Sequence, residues 1–105
     1  MSPEDRGYLV TIRETIQRIE HDVVEGEAAL SKDAGLQDRV RRGLRTIGKS
    51  AERVSAALRA QAPVPWSALD AMAEYAGDAT GAWACVRDEL PGIKKAVDAI
   101  LGTTR

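Results

Sequence analysis

The sequence predicts an all-α fold, an antiparallel helical bundle of four to five helices spanning residues 1–105 as one domain. Three observations carry this prediction. Apolar residues recur at spacings of three and four along most of the chain, the period of a helix face. No stretch alternates with period two, so no sheet is expected. Proline and capping residues fall where the helical pattern breaks.

The first helix starts at Ser2-Pro3-Glu4-Asp5, with a serine cap, proline at the first helical position and acids in the first turn. Leu9, Ile12, Ile16, Ile19 and Val23 give it one apolar stripe over about 20 residues. Gly26 and Ser31-Lys32-Asp33 punctuate a short connecting turn or helix. A second long helix is expected from Asp33 to about Ala60, with Leu36, Val40, Leu44, Ile47, Ala51, Val54 and Leu58 facing inward. Pro63-Val64-Pro65 must end it, because each proline lacks a donor and restricts the residue before it. Trp66 to Glu89 reads as helical again, anchored by Leu69, Met72, Trp83 and Val86. Pro91 lets a last helix begin, with Ile93, Val97, Ile100 and Leu101 inward and Gly102 closing it.

Composition narrows the function classes. The chain is 44% apolar and 30% charged, as in a water-soluble globular domain. Seventeen of its residues are alanine and none is phenylalanine, which predicts a thin core and favours a twofold homodimer that buries more surface. No apolar run approaches the roughly 20 residues of a membrane helix, and Met1 to Val10 lacks a signal-peptide pattern, so no membrane is expected. A single cysteine, Cys85, excludes an intrachain disulfide and suits the cytoplasm. Charge is unevenly placed: residues 1–38 carry net −5, residues 39–59 net +6, and the remainder net −2. The basic segment holds Arg39, Arg41, Arg42, Arg45, Lys49, Arg53 and Arg59. Arg41, Arg45 and Lys49 lie four apart on one face, which reads either as a solvated surface or as a docking stripe for acidic protein or RNA phosphates. No aromatic residue interleaves with these bases, so RNA is the less favoured partner.

Catalytic inventory is sparse. His21 has no second histidine and no metal-ligand spacing, so neither a zinc site nor any other metal or cofactor is expected. Cys85 has no neighbouring base or cation to activate it. The segment AMAEYAGDATGAW, residues 71–83, is rich in alanine and glycine. Ala73, Gly77 and Gly81 are four apart, with Ala76 and Thr80 alongside. On a helix they would form a strip for close backbone contact, with Trp83 beside it as a further packing or dimer candidate. A break at two helix-weakening glycines is the other reading.

Several phrases share a source. Gln37-Asp38-Arg39-Val40, the run from Leu44 to Ala51 with Arg53-Val54-Ser55, Val64-Pro65-Trp66, and Trp83-x-x-Val86 before Leu90-Pro91 resemble the HepT-like branch of the HEPN superfamily. Members are small helical proteins encoded beside minimal nucleotidyltransferases in toxin–antitoxin pairs. The likeness runs in order from Tyr8-Leu9 to Leu101. It implies a helical dimer and a nucleotidyltransferase partner. Ribonuclease members of the family carry an arginine and, after four to six residues, a histidine, often with a tyrosine two residues on. Those groups supply the cation and the acid/base that RNA cleavage needs. Here the arginine falls at Ala73 and the histidine at Asp78, the following loop is shorter, and Tyr75 does not stand in the tyrosine's place.

The resemblance therefore implies no enzyme. It implies a non-catalytic component of a type II toxin–antitoxin system, an antitoxin that binds and neutralises a nucleotidyltransferase-type toxin. Arg41, Arg42, Arg45, Lys49 and Arg53 are the partner-binding candidates, opposite carboxylates that hold the partner's magnesium. Two alternatives stand beside it: a divergent ribonuclease using Arg87 with Asp78 or Glu74, and a structural or RNA-binding remnant with another partner.

Overall fold

A computed structural model describes residues 1–102. They form α1 (Pro3–Asp22), α2 (Glu27–Lys32), α3 (Ala34–Arg53), α4 (Ala56–Gln61), α5 (Trp66–Met72), α6 (Ala79–Ala84) and α7 (Leu90–Gly102). A π-helical turn at Cys85–Glu89 joins α6 to α7, so the described residues make six rods and no strand. The chain is an all-α helical bundle. None of its described helices is long and apolar enough to cross a membrane.

Six rods rather than four or five arise because two expected helices are cut. The long second helix stops at Arg53: Val54 turns extended, and the Ser55 hydroxyl accepts from the Leu58 N–H to start α4. The expected helix over Trp66–Glu89 is interrupted after Met72 and resumes at Ala79, where the Asp78 carboxylate accepts from the Gly81 N–H. Each such cap contributes about 1 kcal/mol, enough to fix where a short helix begins. Pro91 does the opposite of what its sequence position predicts. It does not open a separate helix; the rod continues through it. Proline lacks an N–H and its ring crowds the carbonyl four residues back. Widening the preceding turn, with the Leu90 N–H bonded to the Cys85 carbonyl, accommodates it.

Serine and aspartate caps start α1 and α3 as well, with Ser2 accepting from the Asp5 N–H and Asp33 from the Leu36 N–H. Gly26, at φ 90°, supplies the left-handed turn between α1 and α2 that a side chain would strain. α1 and α3 run antiparallel, since Asp5 meets Ser55 at one end and Ile19 meets Gly43 near the other. The core between them is Leu9, Ile12, Ile16 and Ile19 against Val40, Leu44 and Ile47, closed by Leu69, Leu90, Ile93 and Val97. Ala51, Ala73 and Ala82 are the only buried alanines among the described residues. The core is thus built of leucine, isoleucine and valine, and the thin alanine core predicted from composition is not what forms. Met1 and Val24 are the only exposed large apolar residues described. Dimerisation therefore does not follow from the core.

Candidate functional site

The segment between α5 and α6 is laid along α3 in the opposite direction. Ala73 lies on Gly48, Tyr75 beside Arg45, and Gly77 beside Arg41. At one end the contact is backbone to backbone. A Cβ on Gly48 would fall onto the backbone nitrogen of Ala73 and 2.7 Å from the Met72 carbonyl carbon, so only glycine fits. Further along, Arg45 Nε donates to the Tyr75 carbonyl at 2.6 Å and Arg41 Nε to the Gly77 carbonyl at 3.0 Å. Two guanidinium groups thereby satisfy carbonyls that a loop would otherwise present to water.

The segment also closes on itself. The Tyr75 N–H donates to the Met72 carbonyl at 3.0 Å, and the Tyr75 hydroxyl donates to the Asp78 carbonyl at 3.1 Å. The phenol sits over both glycines: a Cβ at Gly77 or Gly81 would meet its oxygen at 2.5 or 2.7 Å. Of the two readings for residues 73–81, the break is the one that forms. Ala73, Gly77 and Gly81 do not share a helix and make no continuous small-residue strip. Ala73 is buried by close backbone contact, but the contact is with Gly48 of the same chain. Trp83 lies half-buried on α6 against the core.

The basic candidates divide between two faces of α3. Arg41 and Arg45, half-buried, hold the loop carbonyls. The outward face instead reads Arg39, Arg42, Thr46, Lys49 and Arg53, all exposed and at spacings of three and four. Arg42 pairs with Asp38 at 2.7 Å, an exposed i,i+4 pair of small energetic weight. Lys49 and Arg53 make no ion pair among the described residues. The predicted stripe of Arg41, Arg45 and Lys49 is thus split, its first two members turned to internal work.

Two titratable groups in this region are shifted by their surroundings. Burial pushes the Tyr75 phenol up, with the Cys85 and Asp78 charges adding to it. The Cys85 thiol, at the head of the π turn, is raised by burial and then by Glu89 and Asp88. A raised thiol carries little thiolate near neutral pH. Asp78 spends one carboxylate oxygen on the α6 cap, at 2.9 Å from the Gly81 nitrogen. Arg87 forms two bonds to the neighbouring Asp88. Glu74 is exposed, and His21 is exposed in the last turn of α1. Among the described residues no cluster of three or more histidine, cysteine or acidic side chains could hold a metal ion.

Three features escaped the sequence reading. Gly48 carried a signal, an interior glycine one residue from the inward Ile47, where close approach to another backbone is a common cause. Arg41 and Arg45 looked like surface cations because their partners are backbone carbonyls, which leave no trace in side-chain identity. Asp5 looked like a first-turn acid only. It is buried and joins α1 to the α3–α4 corner, accepting from the Ser55 N–H at 2.9 Å and from the Ser55 hydroxyl at 2.6 Å.

No protein-family model matches the chain, and neither a curated protein nor a solved structure is similar to it.

Proposed function

We propose that this chain is a non-catalytic binding protein: a HepT-like antitoxin that forms a complex with a nucleotidyltransferase-type toxin and silences it. One observation carries the non-catalytic half. The two positions where the resemblance puts a ribonuclease's arginine and histidine do structural work, Ala73 pressed on Gly48 and Asp78 capping α6. The family likeness supplies the partner. The exposed cations at Arg42, Lys49 and Arg53 support a polar, charge-guided interface rather than an apolar one. A homodimer belongs to the same reading through the resemblance.

Incubating the purified protein with cellular RNA tests the non-catalytic half, and RNA left intact is the expected result. Cleavage that disappears in Asp78→Ala would favour the divergent ribonuclease instead. Co-expression with the neighbouring nucleotidyltransferase that this reading requires tests the other half: restored growth and a co-purifying complex are expected. Persistent toxicity with no complex would overturn the antitoxin reading.

A further inference from the structure

We propose that the groove between α1 and α3 binds a phosphate group, a role independent of the antitoxin reading. The groove holds about 200 Å³ and is lined by Thr15, Arg18, Ile19, Asp22, Arg39, Arg42, Gly43 and Thr46. At its floor the two helices approach closely. Gly43 presents no side chain, and the Ile19 side chain lies where a Cβ would stand, at 2.7 Å. A larger residue there would press on the Ile19 side chain.

Arg18 of α1 and Arg39 and Arg42 of α3 line this one recess. Arg18 and Arg39 make no ion pair within 4.0 Å among the described residues, although Asp22 lines the same groove. Arg42 is held by Asp38 through one nitrogen only, which leaves its other donors available. Three arginines against Asp22 and the Asp38 partner of Arg42 leave the recess at +1, a positive site for a phosphate monoester, whose charge is about −1.5 to −2 at neutral pH. Shape points the same way. A tetrahedral phosphate offers acceptors in three directions, whereas a planar carboxylate is satisfied by one guanidinium fork. The threonine hydroxyl protons are already committed, Thr15 to the Thr11 carbonyl at 2.7 Å and Thr46 to the Arg42 carbonyl at 2.9 Å. Recognition therefore rests on the arginines. The carrier of the phosphate is either a small monoester or an RNA strand continuing along the exposed Lys49 and Arg53.

The test is a calorimetric titration at fixed low salt with inorganic phosphate, adenosine monophosphate and a twelve-nucleotide RNA. Adenosine and glutarate serve as controls. Saturable binding of phosphate and of the monophosphate, in competition, is expected, with adenosine inert and glutarate much weaker. Arg18→Gln and Arg39→Gln should each weaken binding about tenfold, the loss of a charge-assisted bond, while Lys95→Gln leaves it unchanged. All three positions are exposed apart from the core, and an unaltered melting curve checks that each variant folds. If the RNA binds far more tightly than the monophosphate, the carrier is a strand; if it binds no better, the carrier is a small ligand. Absence of saturable binding, wild-type affinity in both arginine variants, or glutarate binding as tightly as phosphate would overturn the proposal.

Discussion

Gly48 and Asp5 each hold two elements together at a single point, and each gives a distinct prediction. Gly48→Ala places a methyl group against the Ala73 backbone, where neither chain can yield by rotating a side chain. In an exposed helix the same change would stabilise by about 1 kcal/mol. Here it should destabilise by roughly 1–3 kcal/mol, the scale of overpacking, and chemical denaturation measures the sign. Asp5 accepts two bonds from Ser55, and these hold its carboxyl below the ordinary carboxylate value while burial opposes them. A lowered folded pKa contributes stability that is present above the unfolded value of 3.8 and is lost as pH falls through the folded one. Asp5→Ala should therefore cost roughly 1.5–3 kcal/mol near neutrality. It should also flatten the loss of stability below about pH 4, a loss the unmodified protein shows more steeply in melts across that range. Neither role could be read from the sequence. Glycine at 48 advertised proximity without naming its neighbour, and the Asp5–Ser55 contact joins residues 50 apart.

Helix faces were legible because burial obeys periodicity; helix ends were less so. The stripes of α1 and α3 are the buried faces expected, from Leu9 to Val23 and from Leu36 to Val54. The cuts at Ser55 and Asp78 are the work of caps, whose residues were visible but compete with an apolar pattern that continues past them. The loop over 73–78 is held chiefly by Arg41 and Arg45, and this makes its order dependent on α3. Arg45→Met should remove a bond to the Tyr75 carbonyl and loosen the segment without melting the bundle. Amide exchange reads this locally: Tyr75 and Gly81, whose N–H groups bond to Met72 and Asp78, should exchange faster, while Ile12 and Ile47 keep their protection. Uniform loosening of all four amides would mean that the loop is part of the global folding unit instead.

For the whole molecule, Met1 and Val24 are the only exposed large apolar side chains among the described residues, and the proposed complex is accordingly read through charge. Charge asymmetry was plain in the sequence, but which cations face outward depended on where the chain folds back on α3. The cations of α3 left facing outward are Arg42, Lys49 and Arg53, whereas Arg41 and Arg45 bond to loop carbonyls. Reversing Lys49 and Arg53 to glutamate should weaken the complex and flatten its salt dependence with helicity unchanged. The most direct test of the proposed antitoxin role takes the nucleotidyltransferase that the role requires and measures its nucleotide transfer, titrated with this protein. Transfer that falls to background at a stoichiometric endpoint, and returns when Lys49 and Arg53 are reversed, is the predicted result. Transfer that proceeds at full rate in the presence of excess protein would contradict it.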